Sequence, residues 1–188
     1  PVEEVEPLAE LETVESLGVS AASARTAPWT VAVTYQNVGG GRATITVQFY
    51  AEGSDTPYTY NAPPLNAGAG ASFAVGSITT SPAMPASFKG GAVISSDQPL
   101  VATVVQFSPG ATDNVLKQMR LISNGFQSSD AASQYLIATT LLNKFDRTTV
   151  FSIQNTENVP INATVRFYNA DAGGVLAGQK THPIPANS

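Results

Sequence analysis

Residues 30 to 50, TVAVTYQNVGGGRATITVQFY, are written a second time by residues 148 to 168, TTVFSIQNTENVPINATVRFY. Without a gap, Gln36-Asn37 falls on Gln154-Asn155, Thr46-Val47 on Thr164-Val165, and Phe49-Tyr50 on Phe167-Tyr168. Two polar and two aromatic anchors at one shared spacing mark an internal repeat, and a repeat must be read before any single element is assigned. Both copies alternate apolar and polar residues around a cluster of turn-formers, which is the period of a half-buried strand. The expected fold is therefore all-β, with one β-module present at least twice.

Composition agrees with that class. Hydrophobic residues at 43% suffice for cores, whereas charged residues at 12% are about half the usual share. Thr, Ser, Asn, Gln and Gly take their place, as on the uncharged outer faces of a sandwich. The charge is unevenly placed. Glu3, Glu4, Glu6, Glu10, Glu12 and Glu15 are six of the fourteen acidic residues, and no base precedes Arg25. The remaining eight acids meet nine bases, so the net charge of -5 belongs to the N-terminal arm. No basic patch offers a surface to nucleic acid, and no apolar run approaches the roughly 18 residues of a membrane span. Zero cysteines removes disulfides and thiolate metal sites together. A chain that opens on Pro1 is expected to be a processed or trimmed product.

Residues 1 to 16 form the acidic arm, with apolar residues at every third place: Val2, Val5, Leu8, Leu11 and Val14, followed by Leu17. On a helix that step drifts by about 60° per repeat, so no single face gathers them all. Two readings stay open: a solvated acidic tail, or an extended or mixed arm whose Val2, Val5, Leu8, Leu11 and Val14 dock on another subunit. Module 1 is expected over 17–123. Its strands are Trp29 to Asn37, Ala43 to Tyr50, a short one at Tyr58 to Tyr60 closed by Pro63 and Pro64, and Ala71 to Ile78. Phe88 to Ser95 and Leu100 to Phe107 follow. Val115 to Ser123 is either a closing strand or a short helix. Two hairpins are expected, one turning at Gly39-Gly40-Gly41 and one at Asp97-Gln98-Pro99. This is the size and strand number of an immunoglobulin-like sandwich, without the Cys–Trp–Cys pattern of antibody domains.

Residues 124–134 are a polar linker, and 135–188 are module 2, which is incomplete. It holds the lead-in, the first two strands and Val175 to Ile184, and reaches Pro185-Ala186-Asn187-Ser188 opposite Asn66 to Ala69 after a one-residue insertion. Nothing matches ASFAVGSI, FKGGAVIS or LVATVVQF of module 1. The expectation is that the chain continues beyond Ser188 or that another polypeptide supplies the missing strands.

The lead-in, the QN strand, the Phe-Tyr strand and the segment Phe88-Lys89-Gly90-Gly91-Ala92-Val93-Ile94-Ser95-Ser96-Asp97-Gln98-Pro99, followed by Asn124-Gly125-Phe126, resemble secreted repeat modules of bacterial envelopes, especially long Chloroflexota-type surface proteins. The resemblance covers roughly residues 17 to 188. It implies an extracellular, cell-surface location and carries no catalytic residues to transfer.

Candidate chemistry is sparse. His182 is the only histidine, so a two-histidine metal site is impossible, and no acid stands next to it as an orienting partner. No Gly-x-Ser-x-Gly elbow appears. Gly39-Gly40-Gly41 leads into a strand and lacks the Lys-Ser/Thr of a phosphate loop. The arm has no convergent oxygens or turn glycine for calcium. No catalytic residue, cofactor or metal is expected, and the chain is read as no enzyme. Asn162-Ala163-Thr164 is a glycosylation sequon. Tyr58 and Tyr60 are the candidate ligand-facing aromatics, whereas Tyr35 shares the parity of Val31 and Val33 and belongs to a core. The leading functional expectation is a structural subunit of an extracellular bacterial filament or surface appendage, with copies of itself as head-to-tail partners through strand addition or donation. The alternative is an adhesin or carbohydrate-binding stalk module with surface glycans as partners.

Overall fold

The computed structural model of the chain describes residues 29–107, 120–142, 149, 151–170 and 173–188. The arm, with Val2, Val5, Leu8, Leu11 and Val14, lies outside the described residues, as does most of the lead-in to module 1. The described chain is all-β apart from two 3-10 turns, at Val75–Ser77 and Ser128–Asp130. By contacts it forms two units. One takes in the described residues of 27–138, 151–164 and 181–188, and the other those of 139–150 and 165–180.

Among the described residues seven strands precede residue 125: β1 (Thr30–Asn37), β2 (Ala43–Ala51), β3 (Pro57–Leu65), β4 (Gly70–Ala74), β5 (Gly90–Ser96), β6 (Leu100–Phe107) and β7 (Arg120–Asn124). They make a four-stranded sheet in the order β4-β1-β6-β7 and a three-stranded sheet in the order β3-β2-β5. The pairings between these strands are antiparallel. Val33, Tyr35 and Phe73 come from the first sheet, and Ala43, Ile45, Val47, Phe49 and Ala62 from the second. Together they form one buried cluster. The two inner faces thus close on each other as a sandwich. Edge-to-face ring contacts fix the middle of that core: Phe49 against Phe73 at 6.3 Å and Tyr60 against Phe73 at 5.1 Å.

Alternation explains the faces. Along β2, Ala43, Ile45, Val47 and Phe49 are buried while Thr44 is exposed, and along β1, Val33, Tyr35 and Asn37 are buried while Thr34 and Gln36 are exposed. The same alternation does not say whether two successive strands pair side by side or face each other. Both expected hairpins are corrected on this point. β1 and β2 lie in different sheets, so Gly39-Gly40-Gly41 carries the chain across the sandwich rather than around a hairpin. β5 and β6 likewise separate, β5 to β2 and β6 to β1. Of the successive strands in the sandwich, those that pair with each other are β2 with β3 and β6 with β7.

β3 also runs further than expected, through Pro63 and Pro64 to Leu65. It is the outermost strand of its sheet, and an edge is where proline, which cannot donate to a ladder, is tolerated. Ala71 to Ile78 is shorter as a strand, turning into the 3-10 segment at Val75. In Val115 to Ser123 the described part is extended, as β7. One glycine is imposed by backbone approach. A Cβ on Gly90 would lie 1.9 Å from the carbonyl oxygen of Tyr50, since β5 hugs β2 there.

After β7, Gly125 N–H donates to Ala102 O at 2.9 Å, and Asp130 accepts from Gln127 N–H at 3.0 Å. Two further strands follow, β8 (Ile161–Asn169) and β9 (Val175–Ile184), which form a two-stranded sheet. Moved by 118 residues, β2 begins and ends where β8 does. Of the strand expected from Thr148, the described residues 149 and 151–155 are not assigned as strand.

Candidate functional site

The repeated Gln-Asn pair builds the same corner twice. Asn37 is wholly buried at the end of β1. Its Nδ2 donates to Gly41 O at 2.7 Å and Leu65 O at 3.1 Å, while its Oδ1 accepts from Gly39 N–H at 2.9 Å. Asn155, 1% exposed, repeats this: Nδ2 to Val159 O and Pro185 O, both at 2.8 Å, and Oδ1 from Glu157 N–H at 3.0 Å. The position needs two donors and one acceptor on a short side chain, and only asparagine supplies them at that length. The backbone follows suit. Asn37 N–H donates to Ala69 O at 3.0 Å and Asn155 N–H to Ser188 O at 2.7 Å. The nearby turns each contain a left-handed residue, Gly68 at φ 74° and Asn187 at φ 59°. Glycine and asparagine are the two residue types that enter that region most readily. The corner is thus rebuilt although the second writing reaches it one residue later, at Ser188 where the first has Ala69.

Their neighbours differ. Gln36 Nε2 donates to Gly68 O at 3.0 Å, closing its own corner. Gln154 lies over β5 instead, close enough that a Cβ on Gly91 would stand 3.2 Å from its Cδ.

The β8–β9 hairpin keeps the parity of β2–β3 but not its company. Ile161, Ala163, Val165 and Phe167 are half-buried where Ala43, Ile45, Val47 and Phe49 are fully buried. On the other face, Thr164 and Thr181 share a hydroxyl hydrogen bond at 2.8 Å, and Arg166 Nε donates to Gln179 Oε1 at 3.4 Å. Those pairs fix which residues share a face. Lys180 therefore stands across from Val165, and His182 across from Ala163. In the sandwich the same stations are held by Tyr60 across from Val47 and Ala62 across from Ile45. So the face that is dry core in module 1 carries a lysine and a histidine in its second writing. Lys180 is half-buried and His182 exposed. The described residues of this hairpin contain no aspartate or glutamate.

Comparison with protein-family models, curated proteins and solved structures returns no match.

The remaining candidates fall as follows. Tyr58 and Tyr60 turn their rings inward: Tyr58 meets Phe88 edge-on at 6.1 Å, and both pack on the core cluster. Tyr60 also borders an open groove of about 470 Å³ lined with Asn61, Ile78, Thr79, Thr80 and Ser81. Asn162 is exposed on the outer face of β8. Tyr35 is 4% exposed, and burial, with Tyr60 adding to it, raises its phenol pKa above the ordinary value. Among the described residues no cluster of His, Cys, Asp or Glu could hold a metal ion. Among them, too, no helix is long and apolar enough to cross a membrane. The role of Asn37 and Asn155 was not read from the sequence, although their exact repetition was its most visible signal. The facing of Lys180 and Val165 is set by the β8–β9 register, which side-chain order does not reveal.

Proposed function

We propose that this chain is a non-catalytic structural subunit of an extracellular bacterial filament or surface appendage, assembled by strand addition between subunits. On this reading it consists of an acidic arm and two tandem immunoglobulin-like modules, at 17–123 and 135–188. The observation that carries it is the pair β2 and β8. The two strands share sequence, bounds and parity, yet β2 pairs on both sides, with β3 and β5, while β8 pairs with β9 in a sheet of two strands among the described residues. A strand edge with no partner strand among the described residues, beside a half-covered apolar face, is the kind of surface that accepts an added strand. Exposed apolar side chains support the same reading. They are few in the sandwich and frequent after it: Phe126 at 86%, Leu136 at 92% and Val175 at 62% exposed.

The test is negative-stain electron microscopy with sedimentation of the full chain, combined with hydrogen exchange. Assembly should appear as filaments, with amides of residues 161–169 slowing in exchange as it proceeds. A chain that stays monomeric at every concentration, or filaments in which those amides exchange as in the monomer, would sink the proposal. The adhesin reading draws on the groove beside Tyr60. It predicts glycan-array binding that a Thr79→Ala/Thr80→Ala variant loses.

A further inference from the structure

The inward face of the β8–β9 hairpin combines apolar side chains with a cation. Val165 and Phe167 are half-buried there, and Lys180 stands across from Val165 with its own side chain half-buried. A layer of purely apolar residues, such as the one that seals the equivalent face of β2–β3, would strip the ammonium of water and leave it without an acceptor. That desolvation is unfavourable unless a carboxylate meets the charge. The natural cover for this face is therefore a segment both apolar and acidic. The described residues of the hairpin hold no acid of their own, against Arg166 and Lys180.

One stretch of this chain has that chemistry. Residues 1 to 16 place Val2, Val5, Leu8, Leu11 and Val14 at every third position, and six glutamates between them with no base. From this complementarity we infer that the hairpin face of one subunit receives the acidic arm of a second copy, with an arm carboxylate on Lys180 and arm apolar residues on Val165 and Phe167. The inference rests on the proposed assembly and names its two contacting surfaces. The arm's step of three does not suit a strand buried on one face, which wants a step of two. A half-covered acceptor face suits it better, because only some of the arm's apolar residues need be sheltered there.

The experiment is a charge swap in the full-length chain, read by sedimentation velocity at low salt. One variant carries Lys180→Glu, and the other has all six arm glutamates replaced by lysine. Each alone is expected to assemble about tenfold more weakly, the scale of a partly buried attraction turned into repulsion. Lys180→Gln should fall between. Mixing the two variants should restore assembly, because each then offers the arm that the other's acceptor needs. Unchanged urea midpoints at Trp29 check that the variants are folded. Full assembly of Lys180→Glu alone would overturn the inference. So would restoration only when both changes sit in one chain, since the arm would then serve its own hairpin. A wild-type chain that never assembles would instead sink the structural-subunit reading, whereas assembly indifferent to Lys180 sinks only the acceptor assigned here.

Discussion

Replacing Asn37 by alanine tests the corner directly. The substitution removes three hydrogen bonds from a side chain with 0% exposure and leaves the Gly41 and Leu65 carbonyls and the Gly39 N–H without their partner. A net bond is worth about 1 kcal/mol, and a stranded buried group costs about 1–3 kcal/mol. Water can reach part of the vacated space, so the low end of the sum applies, a loss of about 3 kcal/mol. Trp29, the only tryptophan and half-buried at the entry to β1, reports the sandwich by fluorescence. With a urea slope of about 1–3 kcal/mol/M, the midpoint should fall by roughly 1–3 M at constant slope. Asn37→Asp keeps the acceptor but turns an oxygen toward both carbonyls. Burial and those carbonyls raise the new carboxyl's pKa above its unfolded value of about 4. The deficit should then be smallest in acid and grow as pH rises through the raised pKa. A midpoint shift under about 0.3 M for Asn37→Ala, which is below about 1 kcal/mol, would refute the reasoning. So would an Asn37→Asp chain as stable at neutral pH as wild type. Asn155→Ala breaks the same three bonds at its own corner. It should speed exchange of the Ser188-bonded Asn155 amide while moving the Trp29 midpoint less.

Two further predictions concern the sandwich. Gly90→Ala puts a methyl 1.9 Å from a backbone oxygen, so β5 must shift, at about 2–3 kcal/mol by urea unfolding; Gly40→Ala, with nothing within 4 Å, should be within about 0.5 kcal/mol of wild type. Tyr35 has a folded pKa above its unfolded value, so its neutral form contributes stability that is complete below pH about 10 and lost as pH rises through the folded pKa. Stability measured along an alkaline series should fall more steeply for wild type than for Tyr35→Phe, and equal slopes would count against it.

The strands were legible because burial leaves a period-two trace. The start of β2 and the inward placement of Val33 and Tyr35 follow from alternation alone, and the repeat located β8 to within one residue. The pairing was not legible. A strand followed by glycines and another strand has one apolar pattern whether it folds as a hairpin or as an arch between sheets. What separates the two is the buried Asn37, whose bonds reach Gly41 next door and Leu65 in β3. The candidate site was legible in halves. The acidic arm and the second writing of the β2 pattern are visible in order along the chain. The placing of Lys180 across from Val165 is a matter of register between β8 and β9.

The sequence by itself therefore determined the all-β class, the repeat and the uneven charge, since each is a local property of side-chain order and type. Only the tertiary structure decided which sheet each strand joins, what the paired asparagines hold, and that one writing of the repeat encloses a dry core while the other carries a lysine on that face. The physical reason is that pairing and burial are set by hydrogen bonds and packing between distant residues, and these leave no period in the chain that makes them.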